Sequence, residues 1–490
     1  MQLYNLLDGI DAEYFPGLEG MEIGGICIDS RKAKPGDIFV CLNGVNANGK
    51  NFVDEALSNG ARAFVCEEST AFVNAIKVKD ARAAYSQISK NFYDRACDKL
   101  RIIAVTGTNG KTTTTNLIAE ILKSCGANVA TVGTMGIKYG DVILDTGFTT
   151  PDPHILHKAF KEMAASGVEY VIMEASAHAI ALKKLVGINF EIGVLTNITQ
   201  DHLDYFKTME CYANTKLSFF NKNNMKLGLI CIDDPYAQSL LSSSDVPLVT
   251  YGQKVPSDIS AENVKCTLSG TRFTCNCLGE KVNIKSNMTG SYNVSNALAA
   301  IGVCKSIGLD LNMIATYFGY IKPVEGRFNV IKHPKCSVVI DYAHTPDGLE
   351  NVLKCAREHA KGNLIALFGC GGDRDREKRP LMGKIACENA DLVVLTNDNP
   401  RFEEPSEIIN QIKAGVDESK CVTIENRKDA ICQTLDRCNK NDILVILGKG
   451  AEKYQEIKGE KLPYNDFDVV YGYFRERIKS VKESSYEHNS

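Results

Sequence analysis

Residues 101–126 read RIIAVTGTNGKTTTTNLIAEILKSCG, and this stretch decides the fold class. An apolar run at residues 101–106 leads into a glycine-rich turn, which is followed by a long amphipathic segment. This order is typical of a β-strand that passes through a phosphate-binding loop into an α-helix. The strict phosphate-loop pattern requires glycine at position 105, where this chain has Val105. We therefore assign a shorter loop that begins at Gly107.

The residue types in this loop are those that a nucleotide phosphate requires. Glycines allow backbone amides to approach phosphate oxygens, Lys111 can neutralise the β- and γ-phosphates, and the Thr112 hydroxyl can bind Mg²⁺ at the helix N-terminus. An ordinary glycine turn before a helix is the alternative interpretation. The predicted nucleotide-binding residues of the loop are Gly107, Thr108, Asn109, Gly110, Lys111, Thr112 and Thr113.

Strand-like and helix-like segments alternate after this loop. YVIMEAS (170–176), FEIGVLTNI (190–198) and LGLICIDDP (227–235) predict a largely parallel, doubly wound sheet with helices on both faces. Beyond the turn-rich stretch 323–327, the segments CSVVIDYAH, NLIALFGCGG, DLVVLTNDNP and DILVILGKG are four more apolar strands with polar or glycine-rich ends. Ligands bind at such strand ends in open α/β sheets, so we predict a Rossmann-like C-terminal domain.

The residues before the loop predict a small α/β domain. GGICIDS and GDIFVCL resemble short strands, and DEALSNGARAFV at residues 54–65 resembles a helix. The fold class is therefore α/β with three domains, of which the central one is a doubly wound phosphate-loop ATPase domain. We expect the domain boundaries to be 1–98, 99–328 and 329–490.

Composition excludes several classes of protein. The net charge is −4 and no long basic block is present, which argues against a nucleic-acid partner. No apolar run approaches the roughly 18 residues that would span a bilayer, and the N-terminal residues lack the features of a signal peptide. The 18 cysteines are scattered rather than clustered at zinc-ligand spacing, which favours a reducing compartment. We expect a cytoplasmic protein without membrane insertion.

Polar residues follow the predicted strands of the central domain. Glu174 comes just after an apolar strand and could bind a hard cation, although a helix cap or salt bridge is the commoner role at such a position. Asp201 and His202 lie on a strand-to-helix connection, and Lys216 lies on the helix that follows. A satisfied loop histidine and a solvated lysine are the alternative interpretations.

Several motifs occur in an order that resembles the Mur ligase family. They are VTGTNGKTT, MEASAH, NITQDHLDYF, TMECYANTKLSFF and GSYNVSNALAA in the central part, DSRKAKPGDIFVCLNG near the N-terminus, and DYAHTPDGL, GCGGDRDREKRPLMG, DNPRFEEP and GKGAEKYQ towards the C-terminus. The resemblance covers nearly the whole chain. It is greatest to the ligases that add the third residue of the cell-wall peptide.

The resemblance implies roles in binding ATP and Mg²⁺. Thr112 and Glu174 would bind one Mg²⁺, His202 a second, and Lys216 would be carbamylated and so become a carboxylate-like metal or phosphate ligand. The catalytic set would be Lys111, Glu174, His202 and Lys216. Further nucleotide contacts would come from Asn293, Asn296, Arg327 and Asp341; a salt bridge at a domain junction is the alternative for Arg327.

The resemblance also implies a UDP-sugar-peptide site and an amino-acid site. The UDP-sugar-peptide contacts would be Ser30, Thr149, Thr150, Ser176 and Lys184, although surface or capping hydroxyls are common. The amino-acid contacts would be Arg374, Asp398, Asn399, Pro400, Arg401, Gly448 and Glu452. Within the family, DNPR separates enzymes that add meso-diaminopimelate from those that add lysine. A guanidinium can hold the second carboxylate of meso-diaminopimelate bidentately, so Arg401 predicts the diacid. An ion pair within DRDREKR is the alternative for Arg374.

Three positions depart from the family pattern. Ala177 replaces a serine, Ala451 replaces the histidine of GKGHE, and Lys184 replaces an arginine, which keeps the charge but loses the bidentate fork. The alternative that these changes leave open is a related ligase that acts on another UDP-linked peptide.

The sequence thus predicts a monomeric, ATP- and Mg²⁺-dependent ligase. It would add meso-diaminopimelate to the γ-carboxylate of D-glutamate in UDP-MurNAc-L-Ala-D-Glu through an acyl phosphate. The alternatives are a ligase that adds lysine, a folylpolyglutamate synthetase, and a nucleotide-dependent switch that ligates nothing.

Overall fold

The structure is a computed structural model that describes residues 1–44 and 48–487, with side chains as far as residue 476. Three sheets succeed one another along the chain, together with a small hairpin. In these described residues, no helix has the combined length and apolar character needed to cross a membrane. All 18 cysteines fall within the described residues and are free thiols.

The described residues of the first domain form a five-stranded sheet in the order β1-β5-β4-β3-β2. Strands β2 to β5 are parallel, and β1 pairs antiparallel with β5. The elements are α1 (Leu3–Leu6), β1 (Ala12–Tyr14), β2 (Gly25–Cys27), β3 (Asp37–Val40), α2 (Val53–Ser58), β4 (Ala63–Cys66), β5 (Ala75–Val78) and α3 (Ala81–Phe92).

The prediction of one helix over residues 54–65 was wrong. Helix α2 ends at Ser58, and the apolar residues that follow form strand β4. Gly60 has a φ of 106°, which a helix cannot continue through. Ala63 to Cys66 are all buried in the sheet, so their apolar character reflects a strand rather than a helix face.

The central domain contains an eleven-stranded sheet, with strand order β16-β15-β14-β13-β12-β11-β6-β10-β7-β8-β9. Its strands are β6 (Arg101–Thr106), β7 (Val129–Gly133), β8 (Gly136–Tyr139), β9 (Val142–Leu144), β10 (Tyr170–Glu174), β11 (Phe190–Leu195), β12 (Met225–Cys231), β13 (Leu248–Gly252), β14 (Ile259–Thr267), β15 (Gly270–Cys277) and β16 (Glu280–Ser286). Its helices are α4 (Lys111–Ser124), α5 (Pro153–Ala165), α6 (Ala177–Ala181), α7 (Leu203–Phe206), α8 (Met209–Leu217), α9 (Pro235–Gln238), α10 (Leu240–Ser243), α11 (Ser291–Ser306) and α12 (Leu311–Phe318).

The middle of this sheet is parallel, as predicted, and both of its edges are antiparallel. Strands β7, β10, β6, β11, β12, β13 and β14 pair in parallel, whereas β8–β9 and β15–β16 extend the sheet by antiparallel pairing. Two apolar cores lie on opposite faces of the sheet, which confirms helices on both sides. The sequence analysis did not predict the antiparallel edges.

The third domain is built on a sheet of six strands within residues 329–447, in the order β17-β18-β22-β19-β20-β21. Strands β18, β22, β19, β20 and β21 are parallel, and β17 is antiparallel to β18. The elements are β17 (Asn329–Lys332), β18 (Ser337–Asp341), α13 (Pro346–Arg357), β19 (Leu364–Phe368), α14 (Lys378–Asn389), β20 (Leu392–Leu395), α15 (Pro405–Lys413), β21 (Cys421–Thr423), α16 (Arg427–Arg437), β22 (Ile443–Leu447), β23 (Tyr454–Ile457), β24 (Glu460–Pro463) and α17 (Asp466–Glu487).

The four predicted strands of this domain are β18, β19, β20 and β22. Each ends at a motif from the sequence analysis, because the polar residues follow the last buried position of the strand. Parallel strands place their carboxyl ends on one edge of the sheet, so these motifs meet there. The β23–β24 hairpin lies against the same edge, since Arg401 forms a bridge with Ile457.

Candidate active site

The phosphate loop connects β6 to α4, and its two glycines occupy positions that other residues would not tolerate. Gly107 has a φ of 145° and Gly110 a φ of 86°. A side chain on Gly107 would collide with the Thr196 hydroxyl, and one on Gly110 would collide with the Asn296 side chain. The loop is therefore packed tightly against β11 and α11, which leaves its other face to a ligand.

Lys111 lies at the start of α4 and turns back over the loop. Its amine donates hydrogen bonds to the carbonyl oxygens of Gly107 and Thr108, both at 2.9 Å. Burial lowers the pKa of Lys111, while the charge of Glu174 opposes this shift. A phosphate placed on the loop would offer this amine a stronger acceptor than the carbonyl groups.

Thr112 joins the predicted metal carboxylate to the predicted phosphate-binding arginine. Its hydroxyl donates to Glu174 Oε1 at 3.0 Å and accepts from Arg327 Nη2 at 3.1 Å. Glu174 also accepts from the Thr134 amide at 3.0 Å and the Thr134 hydroxyl at 3.1 Å. The sequence analysis did not single out Thr134. Arg327 lies over the ring of Tyr342, with 4.6 Å between the guanidinium carbon and the ring centroid.

The surroundings of Glu174 suit a divalent cation. This carboxylate is 1% exposed, yet no ion pair neutralises it among the residues whose side chains the structure describes. A buried carboxylate without a cation is unfavourable, and the adjacent Thr112 hydroxyl is a second oxygen donor. Mg²⁺ usually binds to one or two protein oxygens together with phosphate and water, so the donor set fits.

His202 lies at the entrance to α7 in a left-handed conformation, with a φ of 56°. Its Nε2 is 3.3 Å from Asp201 Oδ2, and its ring packs against His178 with 4.7 Å between the centroids. Burial lowers the pKa of His202 to about 3, so the ring is neutral at pH 7 and can donate a lone pair to a metal. Lys378 of the third domain lies 3.7 Å from Asp201 Oδ1.

Lys216 is enclosed beside the phosphate loop. It is 1% exposed, and its amine donates to the Gly107 carbonyl at 2.9 Å and lies over the Tyr212 ring at 4.8 Å from the centroid. Burial, assisted by the charge of Lys111, lowers the pKa of Lys216 well below its usual range. The amine can therefore be neutral, which is the nucleophilic form of a lysine.

Asn293 and Asn296 form one turn of α11 directly behind the loop. Asn296 donates to Asn293 Oδ1 at 3.0 Å, and its own Oδ1 accepts from the Thr114 hydroxyl at 3.3 Å.

Asp341, at the end of β18, accepts hydrogen bonds from backbone amides on either side of its strand. Its two oxygens accept from the amides of Phe328 and Ala343, both at 2.7 Å, so this carboxylate braces the segment that enters the third domain.

Asn109 connects the phosphate loop to the third domain. Its side chain donates to Asp347 Oδ2 at 2.8 Å and accepts from the Thr345 hydroxyl at 3.3 Å. Thr345 is the N-cap of α13, and Asp347 lies in the first turn of that helix. The sequence analysis did not identify this contact, although both residues stand in the quoted motif DYAHTPDGL.

Three of the predicted substrate hydroxyls lie together beside Glu174. Thr149 is 3.3 Å from the Thr134 hydroxyl, and Thr150 donates to the Glu174 carbonyl at 2.8 Å and to Ser176 Oγ at 3.3 Å. Lys184 belongs to the same region. It is paired with Asp152 at 2.7 Å and lies over the Phe148 ring at 5.1 Å from the centroid.

Ser30 lies apart from this group. Its hydroxyl donates to Glu55 Oε2 at 2.5 Å within the first domain. Among the described residues, the structure does not bring Ser30 into hydrogen-bond contact with the substrate candidates of the central domain. Its place in a shared site remains a prediction.

The DNPR motif lies at the carboxyl end of β20. Asp398, Asn399 and Pro400 are buried, whereas the Arg401 side chain is 20% exposed. Arg401 donates to Glu456 Oε2 at 3.1 Å and to the Gly372 carbonyl at 2.6 Å. Arg374 is exposed and lies close by, since a side chain on Gly371 would contact both Arg401 and Arg374. The Arg374 contact is through its Cγ atom, and its guanidinium donates to the Asp373 carbonyl at 3.0 Å.

Gly448 and Glu452 follow β22 and contact the same motif. Gly448 is packed against the Asp398 carboxylate, and Glu452 Oε2 accepts from Asn399 Nδ2 at 2.9 Å. The sequence analysis missed Lys449, which is fully buried and donates to Glu452 Oε2 at 2.8 Å and to Asn399 Oδ1 at 2.9 Å. A lysine between two glycines after a buried strand was the available signal.

Three family models match successive parts of the chain between residues 22 and 450. Residues 22–93 match the family described as "Mur ligase family, catalytic domain", residues 105–304 match "Mur ligase middle domain", and residues 326–450 match "Mur ligase, glutamate ligase domain".

Two relatives that match over nearly their full length carry the same enzyme name. The UDP-N-acetylmuramoyl-L-alanyl-D-glutamate--2,6-diaminopimelate ligase of Caldanaerobacter subterraneus subsp. tengcongensis is 40% identical over 96% of this chain and 98% of its own length. In Clostridium acetobutylicum, the ligase of that name numbered 1 is 38% identical over 97% of this chain and 100% of its own.

Solved structures agree in fold. A structure of a UDP-N-acetylmuramoyl-L-alanyl-D-glutamate--2,6-diaminopimelate ligase has a TM-score of 0.71 at 33% identity and covers 98% of this chain and 100% of its own. The MurF ligase of Thermotoga maritima in complex with ADP has a TM-score of 0.60 at 20% identity and covers 87% of this chain and 94% of its own.

Proposed function

Because the chain belongs to the Mur ligase family, we propose that it is an ATP-dependent ligase that adds meso-diaminopimelate to UDP-MurNAc-L-Ala-D-Glu. The bond formed joins an amine of meso-diaminopimelate to the γ-carboxylate of D-glutamate. The product is a tripeptide precursor of peptidoglycan. The names of the full-length relatives support this assignment.

One observation carries the proposal: the phosphate loop faces the third domain and is hydrogen-bonded to it. Asn109 of the loop contacts Asp347 of that domain, and Arg327, two residues before the domain begins, contacts Thr112. A ligase must bring a phosphorylated carboxylate and an incoming amine together, and these two ligands would be bound by different domains. A nucleotide-dependent switch would not require the DNPR network at the facing edge of the third domain.

We assign one ligand to each domain. Residues 1–98 would bind the UDP end, residues 99–328 ATP and metal, and residues 329–490 the amino acid. Hydroxyls of Thr149, Thr150 and Ser176 lie next to Glu174, which suits a substrate that extends from the first domain towards the phosphate loop. Ser30 would contact the sugar-nucleotide part of that substrate.

The nucleotide would lie on the loop, with its phosphates over α4. Lys111 would exchange its two carbonyl contacts for phosphate oxygens, and Arg327 would neutralise charge from the side of the third domain. Thr112 and Glu174 would hold one Mg²⁺, and His202 with Lys216 a second. When bound, Mg²⁺ would neutralise charge on the phosphates and hold them in line for transfer.

The chemistry proceeds in two steps. The γ-carboxylate of D-glutamate attacks the γ-phosphorus of ATP, which forms an acyl phosphate and releases ADP. The neutral amine of meso-diaminopimelate then attacks the acyl carbon, phosphate leaves, and the amine gives up a proton. Lys111 and Arg327 stabilise the charge of the transferred group, so catalysis rests on position and electrostatics rather than on a covalent enzyme intermediate.

Lys216 would act as a carbamate. Its enclosed position and lowered pKa support reaction of the neutral amine with carbon dioxide, since only the unprotonated nitrogen is nucleophilic. The nitrogen would bond to the carbon of carbon dioxide and release one proton, which places a negative carboxylate beside Lys111. This carboxylate would supply an oxygen ligand.

Arg401 would select the diacid over lysine. Lysine has no second carboxylate, so it would leave Arg401 and Arg374 without a ligand partner, and that loss is the basis of discrimination. Gly448 and Glu452 would face the ammonium of the distal centre. We further propose that the protein is monomeric and acts in the cytoplasm.

Phosphate release with ATP, Mg²⁺ and UDP-MurNAc-L-Ala-D-Glu tests the proposal. Rates would be compared with meso-diaminopimelate, L-lysine and no amino acid, and the product identified by mass. We expect stimulation by meso-diaminopimelate, together with the matching tripeptide. Stimulation by lysine alone would overturn the role of Arg401, and turnover indifferent to any amino acid would favour a switch.

A further inference from the structure

Arg401 is held in place by the β23–β24 hairpin, which follows the DNPR motif by more than fifty residues in sequence. Its amide donates to the Glu456 carbonyl at 3.1 Å, and its carbonyl accepts from the Lys458 amide at 2.7 Å. Arg401 has a φ of 52°, a conformation that is uncommon for a residue with a side chain. Contacts from another element are needed to maintain such a backbone.

The same hairpin also orients the guanidinium. Glu456 Oε2 accepts from Arg401 Nε at 3.1 Å, and the Gly372 carbonyl accepts from Nη1 at 2.6 Å. A guanidinium has five N–H groups, and these two bonds are the ones it makes among the described residues. Glu456 lies on the Nε side, which Nη2 shares, so the N–H groups left for a ligand carboxylate are those of Nη1 and Nη2 that point away from Glu456 and Gly372.

Glu456 is itself tied to the rest of the amino-acid site. Its amide donates to Asn399 Oδ1 at 2.9 Å, and the same oxygen accepts from buried Lys449 at 2.9 Å. The hairpin therefore has three bonds to DNPR residues through its backbone and one through the Glu456 carboxylate.

We propose that Glu456 is a specificity-positioning residue, whose carboxylate aims Arg401 at the second carboxylate of the incoming diacid. This inference rests on the proposed function. Glu456 does not need to touch the ligand, because it acts by fixing the orientation of the Arg401 guanidinium. Its hydrogen-bond geometry, rather than its negative charge, is what matters.

Three substitutions separate geometry from charge. Glu456→Gln keeps an acceptor oxygen at the same reach but removes the charge. Glu456→Asp keeps the charge but withdraws the oxygen by one carbon–carbon bond. Glu456→Ala removes both, and Glu460→Ala on the exposed neighbouring strand β24 is the matched control. Thermal unfolding of each variant verifies that it is folded, and the Gln and Asp pair decides the question if Ala fails to fold.

The KM for meso-diaminopimelate, the kcat, and the ratio of kcat/KM between meso-diaminopimelate and L-lysine are the readouts. We expect Glu456→Ala and Glu456→Asp to raise the KM for meso-diaminopimelate and to leave kcat little changed. The ratio of kcat/KM between meso-diaminopimelate and L-lysine should fall by about tenfold, because a hydrogen bond to a charged group is lost. Glu456→Gln and Glu460→Ala should remain close to the wild type.

Each other outcome contradicts a stated part of the argument. If the Glu456→Asp variant resembles the wild type while Glu456→Gln resembles Glu456→Ala, the negative charge is what matters, and the positioning role is overturned. If the wild type prefers meso-diaminopimelate and all variants retain that preference, the inference alone fails. If the wild type shows no diaminopimelate-dependent activity, the proposed function fails, and the inference falls with it.

Discussion

At the scale of single residues, the site is built from polar groups that are buried but incompletely neutralised. Glu174 accepts hydrogen bonds from Thr112 and Thr134 and has no ion-pair partner among the described side chains. Such a carboxylate costs stability in the empty protein, since burial disfavours a charge. A cation bound next to it, as we propose, would recover that cost.

A substitution at Glu174 tests this interpretation. Glu174→Gln keeps the shape and one acceptor oxygen but removes the negative charge that attracts a divalent cation. We expect the Mg²⁺ concentration for half-maximal activity to rise by at least about tenfold, because a charge-assisted ligand is lost. The measurement is a Mg²⁺ titration of phosphate release.

Glu262→Gln on the exposed part of strand β14 is a suitable control for this titration, because it removes the same charge far from the loop. An unchanged Mg²⁺ requirement in Glu174→Gln would show that Glu174 is not a cation ligand.

At the scale of elements, α5 joins the first and central domains and carries a buried histidine. His157 is 1% exposed, and its Nε2 has no hydrogen-bond partner among the described residues. Burial lowers the pKa of His157 to about 3, with Lys90 acting in the same direction and Asp98 opposing it. The folded protein therefore resists a proton that the unfolded chain accepts near the ordinary pKa of 6.5.

This histidine makes the protein less stable in mild acid. As the pH falls below about 6.5, the unfolded state binds the proton first, so the free energy of unfolding falls by roughly 1.4 kcal/mol per pH unit until the folded pKa is reached. Replacing His157→Leu, at similar volume, removes this contribution. We expect the melting temperature of the variant to rise relative to the wild type as the pH is lowered from 7.5 to 5.5.

Thermal unfolding of both proteins at several pH values between these limits supplies the measurement. A difference between the two melting temperatures that stays constant with pH would contradict the prediction, because a packing effect alone does not depend on protons.

At the scale of the whole molecule, the central and third domains are joined across the site by a few polar contacts. Asn109 is bonded to Asp347 and Asp201 is paired with Lys378, and Thr112 is bonded to Arg327, which lies at the boundary between the two domains. All three contacts include a residue of, or next to, the nucleotide-binding and metal-binding motifs. We therefore expect binding at the loop to be coupled to the position of the third domain.

Removing one contact should favour a more open molecule. For Asp347→Ala, we expect a larger radius of gyration with bound ADP in solution X-ray scattering. We also expect kcat to fall by about tenfold, since one partly buried hydrogen bond to a carboxylate is lost. Glu350→Ala is the control, because Glu350 pairs with Lys354 within the same helix.

Equal scattering curves and rates for Asp347→Ala and Glu350→Ala would argue against coupling through Asn109.

The departures from the family pattern are less informative at this scale. Ala177 is buried at the start of α6, and Ala451 is half-buried next to Gly326, and nothing in the structure explains either replacement.

By itself, the sequence determined the α/β class, the parallel centre of the main sheet, and the loop from Gly107 to Thr112. These features depend on local patterns: apolar runs of strand length, helical periodicity, and glycines where the backbone must turn. The pairing of Glu174 with Thr112 was expected from the resemblance to the family, and the structure brings the two side chains together.

Only the tertiary structure decided which distant side chains meet. It brought Thr134 to Glu174, Asn109 to Asp347, Lys449 to Asn399, and Glu456 to Arg401. Each pair is separated in sequence by 40 to 238 residues, and a polar residue carries no local signal of its eventual partner. The same holds for residues 54–65, where sheet burial, not helical periodicity, made Ala63 to Cys66 a strand. Contacts of this kind arise when separate elements pack, which is why they had to be seen rather than predicted.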